Sequence, residues 1–173
     1  LFRSQILKRS GEFDVDKMRC VQLYDAENNM INKHLGRLIL ANAEKAKAMC
    51  EDQYGSRKNH RAIMACLNKE LTMDLFRQKR QAGAIAIIDA KGCFDRITHT
   101  IAILVLLSFG MSPNGLRALF ECIQKSQHRI KTTYGVSKPA YGITDPPSQG
   151  VGQGVGFEAS LWALISSKMI DQM

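Results

Sequence analysis

Ala84-Ile85-Ala86-Ile87-Ile88-Asp89-Ala90-Lys91-Gly92-Cys93-Phe94-Asp95-Arg96 is the stretch on which the fold turns. From Ala84 to Ile88 the residues are small or β-branched and apolar without a break, the pattern of a short strand buried on both faces, and the run ends on a carboxylate. A helical apolar pattern begins just after Asp95, so an acid here can cap a helix. Asp95 suits that cap. Asp89 is separated from the pattern by Gly92 and is left for another task, and an oxygen ligand at a strand end suits a hard divalent cation.

The whole chain has 173 residues, enough for one sizeable core or two smaller lobes. Hydrophobic residues make up 45% and charged residues 23%, which argues against wholesale disorder. Net charge is +8. Residues 1–80 hold 16 Lys+Arg against 10 Asp+Glu and residues 81–173 hold 8 against 6, so the excess is +6 and +2. A polyanion is a reasonable partner for such a balance, which many basic proteins that bind none also show, and the excess lies in the amino-terminal half.

Five cysteines, an odd number with no C-x-x-C pair, indicate neither a disulfide framework nor a zinc finger, and read as reduced thiols of an intracellular protein, nuclear or cytoplasmic. The longest strongly apolar run, Ile101 to Leu107, is far short of a bilayer span, and no secretory pattern opens the chain, so no membrane partner is expected. The chain begins on Leu1 and its last helical pattern still runs at Met173, the look of a piece of a longer protein.

Leu1 to Lys8 reads as the end of a helix, and Met18 to Leu23 alternates as a short strand does. Helical spacing follows from about Tyr24 to Met49, and again from Ala62 to Arg77, where Ile63, Leu67, Leu71 and Leu75 form one stripe. Between them lies a loop with three cations, Arg57, Lys58 and Arg61. Thr98 to Ser108 is helical and closed by Gly110, and Ser112-Pro113 opens a helix to about Gln127. Arg129 to Val136 reads as a hairpin or edge strand, and Phe157 to Gln172 as a final helix carrying Trp162.

Gly150-Val151-Gly152-Gln153-Gly154-Val155-Gly156 is no phosphate-binding P-loop, since it lacks the Gly-Lys-Ser/Thr ending and no buried strand runs into it. Two readings stay open: a flexible linker, or a backbone free of Cβ atoms that lies flush against a flat ligand beside the Gln153 amide. His34, His60, His99 and His128 stand at no metal-ligand spacing and read as surface or supporting residues.

Taken in order, these features resemble the reverse transcriptase domain of non-LTR retrotransposons and group II introns, over nearly all of residues 15–173. Asp89 to Arg96 is similar to the first palm motif, Asp-x-x-x-Ala-Phe-Asp. Gln53-Tyr54-Gly55-Ser56-Arg57 resembles the fingers motif Gln-x-Gly-Phe-Arg, with Ser56 in place of Phe. Lys17-Met18-Arg19-Cys20-Val21 matches Lys-x-Arg-Pro-Ile in part, and Gly150 to Gly154 resembles the Gly-x-x-Gln-Gly loop that backs the incoming nucleotide. Glu158-Ala159 stands where the family has Ser-Pro, and the family's Tyr/Phe-x-Asp-Asp hairpin, like its thumb, does not occur within the 173 residues.

The resemblance implies an α+β fold: the fingers and partial palm of a right-hand polymerase, helix-rich with a small antiparallel sheet. Residues 1–82 would be fingers-like and 83–173 a partial palm, with a strand ending at Asp89, two helices, a hairpin, the glycine loop and a helix. It implies template-directed nucleotidyl transfer to a primer 3′-hydroxyl with two Mg2+ ions. Asp89 would be the catalytic metal ligand, joined by the Ala90 carbonyl. Lys17, Arg19, Phe94, Gln153 and Gly154 would bind the deoxynucleotide, Phe94 rejecting a ribose 2′-hydroxyl. Arg57, Lys58 and Arg61 would hold the template backbone, and Asp95 would be structural. The partners implied are an RNA template, a DNA primer, deoxynucleoside triphosphates and the remaining palm and thumb of the same polypeptide, without which this piece is expected to be inactive alone. Two other expectations are a catalytically inactive nucleic-acid-binding remnant of a retroelement and an unrelated basic interaction module.

Overall fold

The computed structural model describes residues 2–7, 18–142 and 150–172. Two strands, β1 (Phe2–Leu7) and β2 (Met18–Leu23), precede α1 (Ala26–Lys45) and α2 (Ala62–Gln78). A single turn, α3 (Cys93–Arg96), leads into α4 (His99–Ser108) and α5 (Pro113–Gln124). The hairpin strands β3 (Arg129–Thr132) and β4 (Gly135–Val136) follow, and α6 (Glu158–Ile170) ends the order. The fold is α+β and helix-rich, as expected.

The sheet runs β2-β1-β3-β4. Strand β1 pairs antiparallel with β2 over the full register from Phe2↔Leu23 to Leu7↔Met18, and β3 pairs antiparallel with β4. Between β1 and β3 the pairing is parallel, so the expected antiparallel sheet is mixed. The cause is topological: five helices separate β1 from β3, and a connection that long can return the chain in the same direction. The helix end expected over Leu1 to Lys8 is corrected in the same way. Phe2–Leu7 is a strand because β2 offers it a partner for every residue.

The core sits among four helices. Leu161, Ala163, Leu164, Ile165 and Ser167 of α6 are buried, with Ala102 and Leu106 of α4, Leu116, Leu119, Phe120 and Ile123 of α5, and Ile39 and Ala43 of α1. Residues 1–82 and 83–173 therefore share one hydrophobic cluster. Sequence signals at the helix ends hold: Ser112 Oγ accepts from Gly115 N at 3.2 Å, Pro113 takes the first turn, and Gly110 has φ +84 just beyond α4.

Helices α1 and α6 come close because residue 36 has no side chain. A Cβ there would stand 3.0 Å from Ser160 Oγ and 3.1 Å from the Phe157 ring. Gly36→Val is expected to cost about 2 kcal/mol through overpacking, read as a lowered midpoint of urea unfolding. An unchanged midpoint would show that the two helices do not press on each other there.

The run from Ala84 to Ile88 forms no strand. Ile87 is 92% exposed and Ile88 70%, and the strand expected to end at Asp89 is corrected to an irregular extension leaving α2. Apolar pattern alone does not make a strand: the backbone needs a partner for its N–H and C=O groups, and none of β1 to β4 pairs with this run. Helix α2 shares this condition, with no buried residue and Ile63, Leu67, Leu71 and Leu75 all exposed. No helix among the described residues is long and apolar enough to cross a membrane.

Candidate nucleotide and template site

The glycine loop is a built structure. Gly150, Gly152 and Gly154 all have positive φ, a region that strains any residue with a Cβ. At Gly150 a Cβ would meet Phe94 O at 2.5 Å and the Asp95 carbonyl carbon at 2.6 Å. At Gly152 and Gly154 it would run into the side chain and the carbonyl of Gln22. Hydrogen bonds fix the path: Val151 N donates to Phe94 O at 2.9 Å, and Gln22 N donates to Gln153 O at 2.6 Å within a parallel bridge between Val21 and Gln153. Farther on, Gly154 N donates to Glu158 Oε2 at 2.8 Å and Gly156 N to Asn29 Oδ1 at 2.6 Å. The flexible-linker reading is set aside by these bonds.

Three of the four motif segments therefore meet. The loop carrying Gln153 and Gly154 lies on β2, which carries Arg19 two residues before Val21, and against the backbone of Phe94. Lys17 lies outside the described residues. Gln22 is 7% exposed, and Tyr24 Oη donates to its Oε1 at 3.0 Å, so a buried amide side chain forms the bed on which Gly152 rests. Burial pushes the Tyr24 hydroxyl up to about 12, which keeps it a donor.

Asp89 and Ala90 lie on the exposed extension before α3. Asp89 and Ala90 line an open cleft of about 440 Å³ with Cys93, Phe94, Trp162 and Ser166. Burial raises the Cys93 thiol to about 11, so it stays protonated and inert at neutral pH. The donors fit a hard cation in kind, a carboxylate and a carbonyl oxygen, and Mg2+ is commonly held by one or two carboxylates plus substrate phosphate. Among the described residues no three His, Cys, Asp or Glu side chains gather at one point. Asp95 does not cap α4, whose N-cap is Thr98. Asp95 belongs to α3 instead, where its own N–H reaches Gly92 O at 3.1 Å and its carbonyl abuts Gly150.

The loop of residues 50–57 is fastened to the other end of α6. Gln53 is buried and its Nε2 donates to Ser166 Oγ at 2.8 Å, while Cys50 N donates to Ser167 Oγ at 2.7 Å. Helix rise places these serines about 12 Å along α6 from Glu158. Arg57 is spent inside this loop: Nε and Nη2 donate to the two Glu44 oxygens at 2.6 and 2.8 Å, and Nη1 to Cys50 O and Gln53 O at 2.7 and 3.0 Å. The Arg57 side chain is only 9% exposed, so the expected template contact is corrected to a structural clamp. Lys58 and Arg61, both exposed, remain free to meet a phosphate backbone.

Arg57→Ala is expected to cost about 2 kcal/mol, since it strands two carbonyls and a carboxylate at once. Arg57 holds the Glu44 carboxyl below its ordinary value by hydrogen bonding. That contribution is therefore present above about pH 4.5 and lost as the medium acidifies through the lower folded value. Urea midpoints of the wild type and Arg57→Ala should converge in acid; a constant gap from pH 7 down to pH 3 would contradict the clamp.

Several residues of the site gave no sequence signal. His99 Nε2 lies 2.8 Å from Gly150 O and its Nδ1 2.9 Å from Gln124 Nε2. Glu158, where the resembled motif has Ser, reaches back from the first turn of α6 to the loop; burial raises its carboxyl, opposed by the Gly154 and Val155 N–H groups. Glu158 is an acid in the first turn of α6, where a carboxylate is favoured, a signal that could have been used. His99, Gln124 and Asn29 reach the loop from distant segments and left none. No family model matches the chain, and no curated protein matches it either.

Proposed function

We propose that this chain is part of a reverse transcriptase of the non-LTR retrotransposon and group II intron type, in which the glycine loop, β2 and Phe94 receive a deoxynucleoside triphosphate. One observation carries this reading: the glycine loop touches both Val21 and Gln22 of β2 and the Phe94 backbone, so segments assigned by motif to one ligand come together at the loop although up to about 130 residues apart.

In this reading Gln153 and Gly154 meet the nucleotide, set in place because the Cβ-free faces of Gly152 and Gly154 lie on Gln22; Arg19 supplies a guanidinium fork for the triphosphate, and the Phe94 ring excludes a 2′-hydroxyl. Lys58 and Arg61 hold the template strand some way along α6. Asp89 and the Ala90 carbonyl would hold the metal, which when bound lowers the pKa of the attacking 3′-hydroxyl and offsets charge on the leaving oxygens. The reaction joins the primer 3′-oxygen to the α-phosphorus and releases pyrophosphate. The second catalytic carboxylate of the resembled family lies on its Tyr/Phe-x-Asp-Asp hairpin, so turnover is assigned to a polypeptide carrying that hairpin.

Primer extension on an RNA template by such a polypeptide tests this, with Asp89→Ala as the control. Extension abolished by the substitution supports the reading; equal rates in both would overturn it. Nucleic-acid binding with the template but no extension in either would favour an inactive remnant, for which the Glu158-Ala159 departure speaks.

A further inference from the structure

We propose that His99 is a positioning residue for nucleotide binding at the glycine loop, with Gln124 holding its imidazole in the required tautomer; this deepens the preceding reading and rests on it. The imidazole stands at the start of α4, partly buried and tilted on Phe120 with ring centroids 5.2 Å apart. Its Nε2 lies 2.8 Å from the Gly150 carbonyl oxygen. A carbonyl has only lone pairs to offer, so Nε2 carries the proton and donates. Nδ1 is then an acceptor, and Gln124 Nε2 donates to it at 2.9 Å. Both ring nitrogens are satisfied, and the ring is held by the loop and by two residues of α5.

The bond acts on a single peptide plane. The Gly150 carbonyl and the Val151 N–H belong to the same peptide unit, which is gripped on one side by His99 and on the other by Phe94 O at 2.9 Å. Gly150 is closely confined, since the space a Cβ would take there is filled by the backbone of Phe94 and Asp95. Fixing that plane sets the direction in which the chain leaves toward β2, and so the place of Gln153 and Gly154. Loss of the His99 bond leaves the plane held by the Val151–Phe94 bond alone, so the loop is fixed less firmly and opens more often at Val151 and, downstream, at Gly154. His99 acts through the peptide and touches no substrate.

The test uses the whole chain with deoxythymidine triphosphate and Mg2+ as the probe. His99→Leu removes the donor and keeps bulk, whereas His99→Gln restores an N–H at similar reach. The nucleotide dissociation constant is expected to rise about tenfold in His99→Leu and to stay within about twofold in His99→Gln. Without nucleotide, amide hydrogen exchange at Val151 and Gly154 should quicken in His99→Leu, with Leu106 and Leu164 of the core unchanged, and recover in His99→Gln. Exchange at Val151 and Gly154 identical to the wild type, or quickened equally in the core, would overturn the proposal. A wild-type chain that binds no nucleotide overturns the preceding reading instead, and the exchange comparison still decides whether His99 holds the loop. If His99→Leu loses its helical circular dichroism, Gln124→Met carries the same comparison, quickened loop exchange over an unchanged core supporting the role and unchanged loop exchange refuting it.

Discussion

Gly150→Ala is expected to detach the glycine loop and abolish nucleotide binding while leaving the helical core folded. Two costs fall on the same methyl group. With φ at +81 the residue sits where a Cβ costs about 1–2 kcal/mol. The methyl would also stand 2.5 Å from Phe94 O and 2.6 Å from the Asp95 carbonyl carbon, both backbone atoms that cannot swing aside as a long side chain can. Overpacking of this kind adds a further ~1–3 kcal/mol. Detachment also withdraws Val151 and Val155, 1% and 2% exposed, from the hydrophobic core, so the urea midpoint of Gly150→Ala should fall as well, while the four helices keep the rest of the core together. Gly110→Ala is the control: that glycine also has positive φ, but its missing Cβ faces open space, so only the conformational cost applies. Circular dichroism should remain helical in both proteins, and nucleotide affinity should vanish in Gly150→Ala alone. Retained affinity in Gly150→Ala would show that the nucleotide does not need the docked loop.

The second large effect is acid destabilisation through His128. This imidazole is 3% exposed, and neither ring nitrogen has a hydrogen-bond partner among the described residues. Burial and then the nearby Arg3 guanidinium push its pKa from 6.5 down to about 4. The unfolded chain therefore binds a proton between these values that the folded chain refuses. Stability from this group is complete above pH 6.5 and falls as the pH drops toward 4, by about 3 kcal/mol across the window. Glu44 adds its own loss only at the lower end, and equally in any His128 variant. His128→Leu should flatten the dependence of the urea midpoint on pH between 7 and 4.5. The same slope in variant and wild type would place the acid sensitivity elsewhere.

Much of the helical half of the fold is legible from local chemistry. Ser112-Pro113 and Gly110 mark the ends of α4 and α5 because capping is settled within one turn. The hairpin of β3 and β4 declares itself through alternation and a glycine turn. Strand β1 does not, since Phe2 to Leu7 is too short to show a period and its identity depends on β2 and β3. The Ala84–Ile88 run misleads for a related reason: apolar pattern reports a preference for burial, and pairing is decided by which backbone stands alongside.

Side-chain roles divide in the same way. Asp89 and Phe94 could be singled out by their neighbours in sequence. The reassignment of Arg57 could not, because its charge is visible in sequence while the proximity of Glu44, thirteen residues earlier, is a product of the turn between them. The glycine loop could be read as linker or platform, and what decides is supplied from Gln22, Phe94, His99 and Asn29 on other elements. Glycine marks where a backbone comes close; the partner it comes close to is written elsewhere in the chain.

The claim that the glycine loop, β2 and Phe94 form one deoxynucleotide site is tested most directly by amide chemical-shift mapping of the whole chain titrated with deoxythymidine triphosphate and Mg2+. The expected result is a set of shifts confined to Cys20 to Leu23, Phe94 and Gly150 to Gly156, weaker with the ribonucleotide because of the Phe94 ring. No shift at millimolar nucleotide, or shifts elsewhere with the glycine loop unmoved, would contradict it.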